Sequence, residues 1–392
     1  MNYQTLLSDR TAQMGASAIR EILKVVAQPG MVSLAGGIPS PQSFPLDLIQ
    51  KLCVTVIEKY GAAALQYGPT EGFSPLRQVL AKHLGTLGMK AEPKDVLVSS
   101  GSQGVLDALG KVLISKGDQI AVETPTYLGA LQAFDPYQPC YVSVETDDDG
   151  IIPEALERKL KTGRIKFVYL VPTFQNPTGR SLSIERRHET AAIIKKYEAL
   201  LVEDDPYSTL RYHGQQLPTL KSLAPDNVVY IGTFSKIFAP GLRVGFCLAP
   251  TAIGHWLTIV KQGVDLHTST LSQALAAEYL AGGYLEKHLP SIINLYRPRQ
   301  AAMLSALENH FANDFHFSRP QGGMFIWVEG PPGFDAKKAY QKAIQQKVAF
   351  VPGCYFYADP GAGLNTMRLN FSMNDPATIE KAVTTLADVV MF

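Results

Sequence analysis

Cysteine is scarce and dispersed. The 392 residues hold four, Cys53, Cys140, Cys247 and Cys354. None stands in a CxxC pair, so neither a zinc knuckle nor a dithiol redox centre is indicated. Isolated cysteines of this kind read as small buried apolar residues. The eight histidines form no HExxH and no other metal-ligand spacing, and no metal is expected. Neither sign of charge is in excess: 36 Lys and Arg stand against 35 Asp and Glu, for a net charge of +1. Such a balance carries no electrostatic footprint for DNA, RNA or an anionic membrane, so no nucleic-acid or membrane partner is expected. No apolar run approaches the roughly 20 residues that span a bilayer. The opening MNYQTLLSDR lacks the basic start and apolar stretch of a signal peptide, which makes a cytoplasmic location the expectation. Hydrophobic residues at 46% and charged residues at 18% describe a folded globular chain and exclude a disordered or fibrous one. The length suggests about two or three domains.

What is present is an alternation. Apolar runs at Val96–Val98, Ile120–Val122, Tyr141–Val144, Phe167–Val171, Leu200–Val202, Val228–Ile231 and Val244–Leu248 read as strands. Most are separated by helix-like stretches, such as Ile184–Tyr197 and the three- and four-residue spacing of Val105, Leu106, Leu109, Val112 and Leu113. This pattern predicts an α/β domain with a mostly parallel sheet, whose ligands bind at the carboxyl ends of the strands. The last hundred residues read differently. A helix-rich stretch from about Gly283 to Phe311 precedes short strands at Phe325–Val328 and Met367–Phe371, which suggests a smaller α+β domain. There is no internal repeat.

The chemistry concentrates where strands end. In GTFSKIFAPGLRVG, Lys236 follows a strand and two small hydroxyl residues, Thr233 and Ser235, and Arg243 comes seven residues later. A lysine that forms a Schiff base has to lose its proton and belongs near other cations. Arg243 with the two hydroxyls suits a phosphate. VEDDPY ends another strand with carboxylates, NPTG is a turn after a third, and SGSQ opens a helix whose free N–H groups favour an anion. Each signal alone has a plain structural reading as a surface lysine, a turn or a helix cap. Their succession at the ends of consecutive strands does not.

With these motifs in order, the chain resembles the fold-type I pyridoxal 5′-phosphate (PLP) enzymes of the class I/II aminotransferase family, in particular 2-aminoadipate, kynurenine/2-aminoadipate and aromatic aminotransferases. The likeness runs through SLAGGIPSPQSFP, LQYGPTEGFSPLR, SSGSQ, PTYLGALQAF, PTFQNPTG, VEDDPY, GTFSKIFAPGLRVG, KQGVDLHTS, RPQGGMFIWVE, VAFVPG and MRLNFS. It implies a large domain with a mostly parallel seven-stranded sheet over residues 46–290 and a small α+β domain over 291–392. An N-terminal arm and helix, 1–45, would belong to the small domain.

The resemblance also implies roles. Lys236 would hold PLP and move the proton during catalysis. Asp204 would pair with the pyridinium nitrogen; Asp205 competes for this role on sequence alone, and the spacing to Tyr207 favours Asp204. Tyr207 and Asn176 would reach the cofactor's phenolic oxygen, and Tyr127 would stack on its ring. Gly101, Ser102, Gln103, Thr233, Ser235 and Arg243 would hold the phosphate, joined by Tyr67 from a neighbouring subunit, so a homodimer with shared sites is expected. Arg368 would grip the substrate α-carboxylate, with Gly36 and Asn176 beside it. In 18–26, an amphipathic helix with Ile19, Ile22, Leu23 and Val26 on one face, Arg20 falls where the resembled 2-aminoadipate enzymes meet a distal carboxylate.

Other motifs are decoys. GAGLNT at 361–366 lacks the strand–helix context of a dinucleotide loop, and Gly104–Lys111 has one residue too many for a phosphate loop. TFSK lacks the serine of a Ser-x-x-Lys hydrolase. The expected activity is transfer of an amino group from an L-amino acid (2-aminoadipate, glutamate, aromatic or branched) to a 2-oxo acid such as 2-oxoglutarate, by a ping-pong cycle. The alternative is another PLP reaction on the same fold, β-elimination or decarboxylation. A transcription regulator with an aminotransferase-like domain would need a basic module of about a hundred residues before the catalytic region, whereas the motifs begin near Ser33.

Overall fold

The computed structural model describes residue 1 and residues 3–14, 22, 24, 26 and 28–391. Among these, the main sheet has eight strands in the spatial order Val96–Ser99, Gly245–Leu248, Val228–Thr233, Leu201–Asp204, Ile165–Leu170, Gln119–Thr124, Cys140–Asp147 and Gly150–Ile151. Six run in one direction, and Gly245–Leu248 and Gly150–Ile151 oppose their neighbours. Seven correspond to the apolar runs, so the expected seven-stranded sheet is corrected to eight. The added strand is a two-residue hairpin return from Cys140–Asp147, too short to leave a periodic signal.

The central strands are unbroken apolar runs because both of their faces are covered. Tyr169, Val202, Val229 and Ile231 enter one core, and Val168, Leu170, Leu201 and Val228 enter another on the opposite face. The helix Ile184–Lys196 adds Ala191 and Ile194 to the second core, and Ser183 caps it by accepting from the Arg186 amide. Of the four cysteines, Cys247 is buried in the sheet, whereas Cys53 and Cys140 are exposed, against the reading of all four as core residues. Cys53 lies on an exposed face of the helix Leu46–Tyr60, and Cys140 opens its strand.

Chain direction concentrates function at one sheet edge. From Gln119–Thr124 the chain moves outward to Cys140–Asp147, then returns to lay Ile165–Leu170 on the other side. Order reverses there, and such switch points open crevices at strand carboxyl ends. The antiparallel Gly245–Leu248 starts where its neighbours finish, so residues before it reach the same edge.

A second sheet joins His316–Phe317, Phe325–Glu329, Thr366–Asn370 and Val351–Pro352, all antiparallel. Helices Tyr284–His310 and Pro376–Met391 pack on each other nearby. Val32–Ser33 pairs in parallel with Val348–Ala349, tying the early segment to the C-terminal part. The helix expected over 18–26 falls mostly outside the described residues, and Arg20 lies outside them. Among the described residues, no helix is long and apolar enough to cross a membrane, and no group of three or more His, Cys, Asp or Glu could hold a metal ion.

Candidate active site

A cavity of about 390 Å³ opens at this edge, with Tyr127, Asn176, Asp204, Tyr207, Lys236, Arg243 and Arg368 on its walls. Six come from loops or ends of the large sheet. Arg368 comes from the second sheet, on the strand Thr366–Asn370.

Asp204 closes its strand at one end of the cavity. Its Oδ2 accepts a hydrogen bond from the Tyr169 hydroxyl at 2.8 Å, and its Oδ1 is buried with no partner. Burial pushes this carboxyl up to about 7, neighbouring Asp205 adds to the rise, and the Tyr169 hydrogen bond opposes it. Asp205 is turned elsewhere: it lines a separate small cavity, and its oxygens accept from the Tyr230 hydroxyl at 2.9 Å and the Ser208 amide at 3.1 Å. Of the two adjacent aspartates, Asp204 thus lines the main cavity and has an oxygen without a partner.

The Lys236 amine donates to the Gly37 carbonyl at 2.9 Å. Removal from water lowers its pKa to about 8, helped by the Arg368 and Arg243 cations, so its neutral fraction near neutrality exceeds that of an ordinary lysine. Arg368 is fully buried. It donates to Asn176 Oδ1 at 2.7 Å and to the Ala35 carbonyl at 2.6 Å, while its Nε has no partner. Phe325 and Phe356 flank the guanidinium at 4.3 and 4.9 Å, a cation–π setting. Burial brings it down to about 10. Tyr207 stands edge-on to Phe325 at 5.8 Å, its phenol driven well above the usual range by burial. Tyr127 is pushed up to about 12, by burial and then by the Asp204 charge.

Ser102 and Gln103 begin the helix Ser102–Leu113 and line the cavity together with Thr233, Ser235 and Arg243. Gly101 caps that helix at φ 80°, and a Cβ there would strike the Arg243 guanidinium. A Cβ on Gly245 would come within 2.5 Å of the Gly101 backbone. Glycine at both positions lets the antiparallel strand approach the helix start and form an anion cradle.

Gly36 is buried and off the cavity wall, and its neighbours meet the site residues through their carbonyls, Ala35 accepting from Arg368 and Gly37 from Lys236. Tyr67 is 79% exposed and outside the cavity, resting edge-on against His267 at 5.7 Å. Its position follows the loop outward from the cradle, through Thr268 and Ser100, whose hydroxyls stand 3.3 Å apart. Sequence reasoning missed Gly37, Ile38 and Tyr169. A hydroxyl inside the apolar run Phe167–Val171 was the available signal, because a buried hydroxyl has to find a partner.

An unpartnered carboxylate oxygen at one end, an anion cradle at the other, and an amine between them fit the ring nitrogen, phosphate and aldehyde of PLP. The comparisons agree. The model of the family "Aminotransferase class I and II" matches residues 46–386, and the chain belongs to that family: it is a PLP-dependent aminotransferase. It is 43% identical to aromatic-amino-acid aminotransferase 1 of Thermococcus litoralis, covering 100% of this chain and 95% of that one. It is 40% identical to 2-aminoadipate transaminase of Thermus thermophilus, over 94% and 92% of the two. Kynurenine aminotransferase of Pyrococcus horikoshii, solved with PMP, kynurenine and its product, superposes with a TM-score of 0.96 at 44% identity, covering 100% of this chain and 98% of that one.

Proposed function

We propose that the enzyme takes the amino group from an L-amino acid, with 2-aminoadipate, glutamate, aromatic and branched donors all admitted. It delivers the group to a 2-oxo acid such as 2-oxoglutarate, in two half-reactions at one site. The carrying observation is that Lys236 stands in one cavity with a carboxylate receptor, Arg368, whose Nε is unused, and an acid, Asp204, whose Oδ1 is unused.

Bound PLP supplies the electron sink that stabilises negative charge at the substrate α-carbon. Asp204 Oδ1 would hold the ring nitrogen, and Tyr207 and Asn176 its phenolic oxygen, with Tyr127 against the ring. Ser102, Gln103, Thr233, Ser235 and Arg243 would anchor the phosphate, with Gly101 keeping the cradle open. Arg368 would take the α-carboxylate through Nε and a terminal nitrogen. Lys236, with its lowered pKa, would take the proton from the α-carbon and return it on the cofactor side.

Once Arg243 serves the phosphate and Arg368 the α-carboxylate, the described wall holds no further arginine for a distal carboxylate. Ile38, on the same wall, suits apolar and aromatic side chains, which agrees with the Thermococcus relative's name. Arg20 is the candidate for acidic donors, which agrees with the Thermus relative's. The reading includes a homodimer whose sites are completed by the neighbour's Tyr67. It is supported by the outward position of Tyr67 and by exposed Leu65, Trp256, Val264 and Leu266. It also includes the division into 1–45 with 291–392 against 46–290, supported by the pairing of Val32–Ser33 with Val348–Ala349.

The test is a donor panel run with the loaded enzyme and no acceptor. Each accepted donor should give one equivalent of 2-oxo acid per site, and 2-oxoglutarate should restore the starting spectrum. Arg20→Gln should lower kcat/KM for glutamate and 2-aminoadipate by about 10-fold or more relative to leucine and phenylalanine. Release of carbon dioxide or free ammonia as the main product would favour decarboxylation or elimination instead.

A further inference from the structure

The geometry points to Tyr169 as a positioning residue that fixes Asp204 as an oriented carboxylate and, through it, strengthens the hold on the cofactor's ring nitrogen. This rests on the reading of Asp204 given above.

Strand register brings the pair together. Ile165–Leu170 and Leu201–Asp204 are parallel neighbours, with Tyr169 opposite Val202 and Leu170 opposite Glu203. Side chains alternate along a strand, so Tyr169, Val202 and Asp204 share a face, and the phenol reaches diagonally to the strand end. Its hydroxyl lies 2.8 Å from Asp204 Oδ2, with the two residues 0% and 3% exposed. The Tyr169 ring packs edge-on to fully buried Phe134 at 5.9 Å, which restricts its swing. One carboxylate oxygen is therefore tied to the chain, and the other, Oδ1, is buried without a partner in a residue that lines the cavity.

A carboxyl in this position tends toward its neutral form, which is a poorer partner for a protonated ring nitrogen. Burial drives it that way, and so does the adjacent Asp205, whose own oxygens are occupied by Tyr230 and Ser208. The Tyr169 phenol favours the ionised form. It stays a donor itself, because burial and the charges of Asp204 and Glu123, together with neighbouring Tyr127, hold its proton well above the usual phenol range. Glu203, the remaining acid of the strand, is engaged by the Leu220 and Lys221 amides.

Tyr169→Phe retains the ring and removes the donor. In cofactor-free protein, the loss of melting temperature relative to the parent should be larger at pH 9, where Asp204 is ionised, than at pH 5, where it carries its proton. In an Asp204→Asn background that pH dependence should vanish. PLP should bind about tenfold more weakly, and the pH midpoint of the bound cofactor's absorption should move. The kcat should fall with little change in donor KM, because Arg368 is untouched. A pH-independent loss of stability with unchanged PLP affinity and spectrum would reduce Tyr169 to a packing residue and overturn the proposal.

Asp204→Asn, measured in parallel, separates two failures. If it too leaves PLP affinity unchanged, the assignment of Asp204 falls and takes this one with it. If it weakens binding and Tyr169→Phe does not, the role of Tyr169 alone is overturned. Should the Tyr169→Phe chain not fold, the Tyr169→Phe/Asp204→Asn chain decides. Recovered folding supports the pairing, since no charge is left buried, and continued failure contradicts it.

Discussion

Asp204 and Tyr169, at one end of the cleft, are 3% and 0% exposed, whereas Arg243, on the cavity wall, and Tyr67, outside the cavity, are open to solvent. The buried end relies on one carboxylate held by one phenol, in surroundings where a charge is costly and each lost partner is strongly felt. The open end offers an anion a helix start, the hydroxyls of Thr233 and Ser235 and the exposed Arg243 guanidinium, whose charge salt can screen. One end fixes chemistry at a point. The other distributes affinity and is the end at which a second subunit would contribute.

The largest expected effect breaks the buried end. Asp204→Asn should lower turnover by about 10²-fold or more, and Asp205→Asn, whose oxygens face away, far less. The same Asp204→Asn change should stabilise the cofactor-free protein at pH 8. An unfolded aspartate titrates near 3.8 and the folded Asp204 near 7. Between these values the folded chain keeps a proton that the unfolded chain releases, so this group's contribution falls as pH rises from 4 to 7, by on the order of 4 kcal/mol. Melting curves of the two proteins should converge near pH 4 and separate by several degrees at pH 8; parallel curves would contradict the buried charge.

The middle of the cleft gives a smaller effect. Lys236 is lowered to about 8, and in the proposed role only its neutral amine would react with the cofactor. Uptake of PLP by cofactor-free protein should accelerate as pH approaches 8 and level off above it, as followed by stopped-flow absorbance. A rate still climbing near the usual lysine range would show that the amine is not desolvated.

At the open end, effects should be smaller still and sensitive to salt. Arg243→Gln should weaken PLP binding about tenfold at low salt, with the gap narrowing at high salt. Tyr67→Phe should cost less. If Tyr67 crosses between subunits, heterodimers of Lys236→Ala and Tyr67→Phe chains should contain one site with the native lysine and the neighbour's native tyrosine. That site should bind PLP with parental affinity. Affinity equal to that of the Tyr67→Phe homodimer would show that the tyrosine serves its own chain.

The two ends also differed in how far the sequence disclosed them. Lys236, Arg243, Asn176 and Asp204 sit in short motifs after or before strands, so their residue types and their place at the sheet edge are both visible in one dimension. The spacing to Tyr207 favours Asp204 over Asp205 in the sequence, and the alternation at the strand end supplies the physical reason, since Asp204 lines the main cavity and Asp205 a separate one. Tyr169 acts only because two strands align with Tyr169 opposite Val202, a register that neither segment encodes alone. Gly37 meets Lys236 through a carbonyl that every residue possesses, so its residue type carries no signal of that contact. The strand Gly150–Ile151 was too short to show a period, and the sheet was undercounted by one.

Lys236 is proposed as the amine that carries the cofactor between Asp204 and the cradle. Borohydride reduction of the loaded protein, followed by proteolysis and mass spectrometry, tests this directly. A reduced phosphopyridoxyl group on the peptide containing Lys236, absent from Lys236→Ala, is the predicted result. Labelling of another lysine at one equivalent per chain, persisting in Lys236→Ala, would contradict it.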